Sequence, residues 1–415
     1  MTDKYTFIDL FAGCGGLSEG FLASGKFKGL AHVEWELPMV KTLRNRLESK
    51  WNHSEDEVLK RVVHFDIQES NSLVNGNWND ELIKDYGSTN HNLLIEKGLR
   101  GLVKDDKVDV LIGGPPCQAY SIAGRAQDKN SMKDDYRNYL FESFVKVVDE
   151  FKPKLFIFEN VPGMLSAQPG GIKVTERVYK AFADIGYEIT DSHRLKNNVY
   201  SAADFHVPQK RRRLIIVGVK KSEDLSLKGV YEKIDNQKKS EKFTVRNAIE
   251  NLDKFHPLEA SIKKDGKNIS HQNKSSSTSK LHHIPRFHND RDVKIFKKWV
   301  VNDMNSKSSV EKIDFYNKLM NKKSNHAKYR NLDWDKPSPT IVAHLYKDGL
   351  MFIHPDSEQA RSITVKEAAL LQSFPDDFKF IGGSGVCYKM IGNAVPPKMA
   401  ECLANGVYDY LEENS

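Results

Sequence analysis

Two segments carry residues that could perform covalent or acid–base chemistry. In DVLIGGPPCQAYS, an apolar run delivers Cys117 to a loop with two glycines and two prolines before it. A restrained thiol at the carboxyl end of a strand lies where an α/β sheet places its ligands, and a depressed pKa would make it a nucleophile. The alternative for a lone cysteine is an inert core residue. Glu159 in LFIFENVPG follows a second apolar run, either as a buried general acid or as a loop cap.

Basic residues follow about fifty positions later, in VPQKRRRLIIVGV. Arg211 and Arg213 are two residues apart, so a strand would present both on one face. They are either solvated charge at a sheet edge or a clamp for an anion or a base. The sequence alone leaves both interpretations open.

A cofactor site is predicted from FIDLFAGCGGLSEGF, which has the pattern of a strand, a glycine turn and a helix. Its glycine spacing fits neither the dinucleotide fingerprint nor the phosphate-binding loop, so it suits an adenosine cofactor without a pyrophosphate. Glu34 follows the next strand, where an acid can bind ribose hydroxyls, and Trp35 can stack on adenine. Asp66, after a third strand, can accept from the adenine amino group. Each acid alone is more often a helix cap, but their order favours S-adenosylmethionine.

Alternating strands and helices must position these segments. Strands are predicted at 5–11, 30–33, 62–64, 108–112, 155–158, 188–190 and 213–219, and helices at 138–150 and 174–185. Such alternation predicts an α/β fold with a doubly wound parallel sheet. Past residue 337 we predict a strand over 338–345 and a helix over 364–373.

The middle of the chain is less regular and more basic. Residues 221–340 contain 26 Lys and Arg against 16 Asp and Glu, while the whole chain has a net charge of +7. The surplus indicates either a segment that lies on phosphates or a solvated surface. We therefore predict a first domain at 1–220, a smaller domain at 221–385 with a variable part at about 221–325, and a segment 386–415 that returns to the first domain.

Composition excludes several classes of protein. With 415 residues, of which 39% are hydrophobic, the chain can bury a sizeable core. No apolar run approaches the roughly 20 residues of a membrane span, and no secretory signal is present at the N-terminus. We therefore expect a cytoplasmic protein without a membrane partner. Four cysteines without a CxxC pair argue against disulfides and a Cys-rich zinc site, so no metal is expected.

The motifs together resemble those of DNA (cytosine-5) methyltransferases of the bacterial restriction–modification type. The resemblance covers nearly the whole chain except about 221–325, and the matching segments stand in the family's usual order. They are FIDLFAGCGG, Glu34-Trp35, Asp66-Ile67, GGPPCQAYS, ENVPG, QKRRR, RSITVKEAALLQSFPDDF and IGNAVPP. The resemblance implies a Rossmann-like methyltransferase sheet with a smaller, irregular target-recognition domain.

It also implies a function. Methyl transfer from S-adenosylmethionine to carbon 5 of a flipped-out cytosine in double-stranded DNA would proceed through a covalent cysteine adduct. The modification would protect DNA from a cognate restriction endonuclease, and the enzyme would act as a monomer on DNA. One alternative is the family's tRNA-methylating branch, against which AYS after PPCQ and the long basic segment count. A catalytically weak DNA-binding regulator is the other, but it would lack the cysteine or the glutamate.

Roles for individual residues follow from the same resemblance. Catalysis would use Cys117, Glu159 and Arg211. The cofactor would be bound by Phe11, Gly13, Gly16, Glu34, Trp35, Asp66, Ile67, Pro116, Asn393 and Val395. Ser121, Gln209 and Arg213 would lie on the DNA side, and residues 121–136 would close as a lid. Residues 69–105 exceed what compact members have, and they have no implied role.

Overall fold

The computed structural model describes residues 4–116, 140–273, 281–321, 323–347 and 349–414. Cys117, Ser121 and the predicted lid at 121–136 lie outside these residues. The chain divides into two compact units. Unit 1 comprises Met1–His206, Arg211–Glu241 and Ala394–Ser415, and unit 2 comprises Val207–Lys210 and Lys242–Asn393.

Unit 1 is built on an eight-stranded sheet. Its strands are β1 (Tyr5–Leu10), β2 (Phe27–Glu34), β3 (Val62–His64), β4 (Val110–Gly113), β5 (Leu155–Asn160), β6 (Tyr187–Ile189), β7 (Val199–Ser201) and β9 (Arg212–Lys220), while β8 (Gln209–Lys210) belongs to unit 2. The order is β3-β2-β1-β4-β5-β9-β6, with β7 paired to β9. All residues of β4 and β5 are buried, as expected for strands covered on both faces.

The predicted α/β sheet is confirmed, with one strand of opposite direction. β3, β2, β1, β4 and β5 pair in parallel, whereas β9 runs antiparallel to both β5 and β6. Parallel neighbours need a crossover of a dozen or more residues. Only residues 202–211 separate β7 from β9, so β9 turns back beside β7 as an antiparallel neighbour.

Helices connect the strands of unit 1. They are Gly16–Ala23, Leu37–Trp51, Glu55–Arg61, Ser70–Asn75, Asp80–Tyr86, Asn92–Val103, Leu140–Phe151, Val174–Asp184, Leu227–Asn236 and Pro397–Glu413. The segment without an implied role, 69–105, contains three of these helices. Its Leu73, Leu94 and Leu99 are buried in the main core, so this segment is part of the folded body.

The helix Leu227–Asn236 also lies in unit 1, whereas the sequence analysis placed the domain boundary at 220. The helix packs against the C-terminal helix Pro397–Glu413, where the backbone of Gly406 meets Ile234. The backbone N–H of Ser226 donates to the Tyr410 hydroxyl. The partner helix of Leu227–Asn236 lies about 170 residues later in the sequence. The residue pattern around position 220 therefore does not reveal this contact.

Unit 2 is irregular. It contains the hairpin β10 (Phe255–Lys264) and β11 (Lys267–Asn273), and a short parallel pair of β8 with β12 (Ser338–Pro339). Its helices are Val245–Ile249, Asp290–Val301, Ser309–Met320, Val365–Leu371 and Ser384–Asn393. The strand predicted over 338–345 is wrong beyond its first two residues. Pro339 has no N–H for a ladder, and residues 343–346 form a 3-10 turn.

Unit 2 contains a buried ion pair. The Arg361 guanidinium donates to both carboxylate oxygens of Glu367, each at 2.7 Å, and both side chains are buried. The Glu367 carboxylate also accepts from the backbone N–H of Thr364, at 2.7 Å, and closes a capping box there. Arg361 holds the pKa of Glu367 well below its usual range despite burial.

Buried histidines make the fold sensitive to acid. Burial lowers the pKa of His32, His288 and His354 to about 3 and of His271 to about 4. Below pH 6.5 the unfolded chain binds protons at these side chains, while the folded chain does not. The free energy of unfolding therefore falls as pH falls, by up to about 1.4 kcal/mol per pH unit for each histidine.

Two buried carboxyls oppose this trend. Burial raises the pKa of Asp9 and of Glu34 to about 7, so the folded chain keeps protons there that the unfolded chain loses above about pH 4. Between pH 7.5 and 5.5 the four histidines change the free energy of unfolding by more than the two carboxyls do. We expect a lower free energy of unfolding at pH 5.5 than at pH 7.5, measured by urea denaturation. Equal or higher stability at pH 5.5 would contradict the neutral state of these histidines.

Candidate active site

The glycine turn after β1 is held in a strained conformation. Phe11 has φ 58°, in the left-handed region that side chains rarely adopt, and Gly13 has φ 58°. The backbone N–H of Ala12 donates to the Val33 carbonyl at 3.0 Å, which fixes the turn to β2. A side chain on Gly16 would overlap the carbonyl oxygen of Val395. The structure therefore brings Phe11, Gly13, Gly16 and Val395 together.

The Glu34 carboxylate organises the same turn. Its Oε2 accepts from the backbone N–H of Gly13 at 2.8 Å, and its Oε1 accepts from those of Trp35 and Glu36 at 2.9 and 2.8 Å. Three donors on four lone-pair sites leave Oε2 with capacity for one more. The Trp35 indole beside it is 52% exposed, so its face is free to stack.

Sequence reasoning missed a buried chain of polar groups beneath this turn. The Ser18 hydroxyl lies 2.5 Å from Asp9 Oδ2 and 2.7 Å from His32 Nδ1, and all three residues are buried. Asp9 and His32 are register partners on β1 and β2. Asp9 Oδ1 is buried with no hydrogen-bond partner among the described residues. An acid in FIDLF between apolar residues is the signal that could have identified it.

A second cluster forms at the carboxyl ends of β4 and β5. Arg213 Nε lies 2.6 Å from Glu159 Oε1, and both side chains are nearly buried. A Cβ on Gly114 would lie 2.7 Å from Glu159 Oε2, and the Asn160 side-chain amide donates to the Pro115 carbonyl at 3.4 Å. The turn that leads into Cys117 therefore lies directly against the Glu159–Arg213 pair.

Two predicted residues of the QKRRR segment are deeply buried. Gln209, expected on the DNA side, uses its amide within unit 2: Nε2 donates to Gln372 Oε1 at 2.5 Å, and Oε1 accepts from the Ile341 N–H at 2.9 Å. Its side chain is buried. Arg211 is also buried, and its Nη2 donates to the Ala394 carbonyl at 2.9 Å.

The remaining predicted residues have simpler environments. Asp66 caps the short turn Ile67–Glu69 by accepting from the Gln68 N–H at 3.0 Å, and Ile67 is buried. Pro116 is half-buried. Asn393 ends the last helix of unit 2. Within the described ranges no cluster of His, Cys, Asp and Glu could hold a metal ion, and no helix is long and apolar enough to span a membrane.

The fold and the site define a class. A mostly parallel sheet with a glycine turn after β1 and an acid at the end of β2 is the architecture of the S-adenosylmethionine-dependent methyltransferases. Among solved structures, a DNA modification methyltransferase encoded within an E. coli prophage has a TM-score of 0.60 at 24% identity, covering 99% of this chain and all of that chain. The predicted fold class is thereby confirmed.

Sequence comparisons specify the family. The chain matches C-5 cytosine-specific DNA methylase over residues 5–77 and 72–408. It is 34% identical to the type II methyltransferase M.Bpa9945I of Bacillus paralicheniformis, over 97% of this chain and 98% of the relative. It is 31% identical to M1.HphI of Haemophilus parahaemolyticus, over 97% and 86%. The chain belongs to the C-5 cytosine-specific DNA methylases and is a DNA (cytosine-5) methyltransferase, similar to those of restriction–modification systems.

Proposed function

We propose that this enzyme methylates carbon 5 of a flipped-out cytosine within a specific sequence of double-stranded DNA, through a covalent adduct with Cys117. The observation that carries the proposal is the packing of the Gly114–Pro115 turn against Glu159 and Arg213. Cys117 follows this turn by two residues in the sequence, so we assign its thiol to the same site as this carboxyl and guanidinium. A cytosine inside a duplex cannot reach such an edge unless it leaves the stack.

Each of the three groups has a distinct task. The Cys117 thiolate adds to carbon 6 of cytosine, which makes carbon 5 electron-rich. Glu159 donates a proton towards ring nitrogen 3 and stabilises the adduct. Arg213 neutralises the charge that develops on the Glu159 carboxylate and the base. We assign this charge to Arg213, where the sequence analysis assigned it to Arg211, because Arg213 contacts Glu159. Arg211 instead supports the loop at Ala394.

The glycine turn fits S-adenosylmethionine. Gly16 leaves backbone accessible that a side chain at this position would block. Glu34 offers a hydrogen-bond acceptor, and Trp35 offers an exposed ring face. We infer that Glu34 holds the ribose and that Trp35 and Ile67 enclose the adenine, with Asp66 at its amino group. The bound cofactor supplies an electrophilic methyl group on a sulfonium sulfur. The chain's own residues orient that group and exclude water from it.

We expect Glu34→Gln to weaken cofactor binding about 10- to 100-fold, because a hydrogen bond to a charged group contributes roughly 1.5–3 kcal/mol. The amide would also place a donor against the N–H of Gly13 or Trp35. Calorimetry with S-adenosylhomocysteine measures the change. Glu36→Gln is the matched control, since it alters the next acid and keeps the Glu34 carboxylate. An unchanged dissociation constant for Glu34→Gln would remove Glu34 from the ribose site.

Unit 2 takes the complementary role in the proposal. We assign chemistry to unit 1 and target recognition to unit 2, with the variable sequence up to about residue 325 as the part that differs between specificities. The relatives named as type II methyltransferases support a cellular role in protecting DNA from a cognate endonuclease. The enzyme would act in the cytoplasm as a monomer on DNA.

Bisulfite sequencing tests the whole proposal. The full chain is expressed in a bacterial host without cytosine methylation, and its genome is read for protected cytosines. We expect one short sequence motif to carry 5-methylcytosine, and DNA from those cells to resist an endonuclease that cuts this motif. Methylated tRNA with unmodified DNA would support the tRNA branch and overturn the proposal. Absence of methylation in both would favour a regulator.

A further inference from the structure

The hairpin of unit 2 is covered only at its base. Phe255 on β10 and Ser270 and His271 on β11 are buried, and the Ser270 hydroxyl accepts from the His288 N–H at 2.9 Å. Every residue from 259 to 268 is exposed. We call residues 259–268 the ribbon. Successive side chains of a strand point to opposite faces, so neither face of the ribbon is covered by the described part of the chain.

A tight turn fixes which side chains of the ribbon are paired. The Asp-Gly turn at 265–266 has φ 49° and 76°, the conformation of two-residue hairpin loops. In this register Lys264 lies opposite Lys267, and Lys263 lies opposite Asn268. Because side chains alternate, these two pairs lie on opposite faces of the ribbon.

The paired lysines at the tip of the ribbon suit a polyanionic partner. Like charges directly opposite each other destabilise an antiparallel pair, and Lys264 and Lys267 form such a pair. Neither lysine has an acidic partner among the residues that the structure describes. The ribbon carries three lysines against two acids, Glu259 and Asp265, and all three lysines lie at or next to its turn. Phosphates on either side would convert this repulsion into attraction.

The shape of the ribbon selects duplex DNA among polyanions. Paired strands are about 4.8 Å apart, so two strands with their side chains are roughly 10 Å wide. The major groove of B-DNA is about 12 Å wide and admits a two-stranded ribbon. The major groove of A-form RNA is too narrow for side chains to read.

We propose that the ribbon enters the major groove of the target duplex, with Lys263 and Asn268 on base edges and Lys264 and Lys267 on phosphates. Lysine donors match guanine O6 and N7, and the asparagine amide matches adenine N6 and N7. The inference rests on the proposed action at a specific duplex sequence, and it identifies the element that reads the sequence.

The phosphate contacts are tested by salt dependence. The full chain and its Lys264→Gln/Lys267→Gln variant bind fluorescent duplex DNA over a series of salt concentrations. The variant should bind every sequence more weakly, with a log–log slope lower by about one unit per lost contact, about two in all. Lys294→Gln/Lys298→Gln is the matched control, because these exposed lysines belong to another element of unit 2. The control should keep the wild-type slope.

The base contacts are tested by the methylated motif. Lys263→Ala/Asn268→Ala is expressed in a host without cytosine methylation, and bisulfite sequencing compares its motif with that of the wild type. Discrimination should fall roughly tenfold or more at one or two base pairs, while the original sites are still methylated. Lys264→Gln/Lys267→Gln should keep the wild-type motif.

Three results would overturn the inference. The first is an unchanged slope in the Lys264→Gln/Lys267→Gln variant together with an unchanged motif in the Lys263→Ala/Asn268→Ala variant, both at wild-type melting temperature. The second is an equal loss of slope in the control, which would indicate diffuse charge. The third is equal competition by a duplex RNA of the same sequence. If the wild-type chain methylates nothing, the proposed function fails, while the salt slopes still decide whether the ribbon binds DNA.

Discussion

Cys117→Ala is expected to reduce methyl transfer roughly 10⁴- to 10⁶-fold, the range in which removal of a catalytic nucleophile falls. Carbon 5 of cytosine does not attack a methyl donor until a thiolate has added to carbon 6. DNA binding should persist, because the thiol enters only the chemical step. Transfer of a radioactive methyl group to duplex DNA measures the loss, and a gel shift measures binding.

A trapping experiment makes this prediction specific. In a duplex with 5-fluorocytosine at the target and S-adenosylmethionine present, methyl transfer leaves carbon 5 with a fluorine and no proton to release. The thiolate then cannot be expelled, so the wild-type adduct should persist through denaturing electrophoresis. Cys402→Ala is the matched control, since Cys402 lies on the C-terminal helix and should trap as the wild type does. Turnover by the Cys117 variant, or no trapped wild-type adduct, would assign the nucleophile elsewhere.

The second large effect concerns stability. Glu367→Gln should lower the free energy of unfolding by about 3–5 kcal/mol, because it leaves the Arg361 guanidinium buried without its counter-charge. The capping box at Thr364 would lose its charged acceptor as well. Urea denaturation at pH 7.5, followed by circular dichroism, measures the difference.

An exposed ion pair of the same unit provides the control. Lys297 and Glu358 lie 3.0 Å apart with both side chains more than half exposed, so Glu358→Gln should change stability by less than about 1 kcal/mol. Similar small losses for both variants would mean that water reaches Arg361. The buried pair would then contribute no more than a surface one.

Strand positions in unit 1 were predictable because buried strands are short apolar runs. The predicted 155–158 lies within the observed Leu155–Asn160, and 213–219 within Arg212–Lys220. The direction of β9 was not predictable, since it depends on the connection from β7. The strand wrongly predicted after residue 338 shows the same limit. The mostly apolar residues 341–345 satisfy the strand pattern, but the observed strand ends at Pro339. The backbone N–H of Ile341 then donates to the Gln209 side chain instead of to a neighbouring strand.

The placement of candidate site residues was predictable where their contacts are local in the sequence. Glu34 and Trp35 are adjacent in sequence, and the structure places both at the glycine turn through hydrogen bonds. The environments of Gln209, Arg211 and Arg213 depend on which residues of distant segments pack against them. A run of basic residues predicts exposed charge. In the structure, however, Arg211 is buried and Arg213 pairs with Glu159. Sequence spacing alone predicts which face of a strand a side chain is on, but not how deeply that side chain is buried.

The contact of Gly16 with Val395 has a consequence for the timing of synthesis. Gly20 likewise meets Ala400 of the helix Pro397–Glu413, so residues 16–20 pack against a segment encoded about 380 residues later. At roughly 5–20 residues per second, a ribosome needs about 20–75 s to travel from codon 16 to codon 395. We therefore expect the glycine turn to reach its final packing only after residues 395–400 have been synthesised.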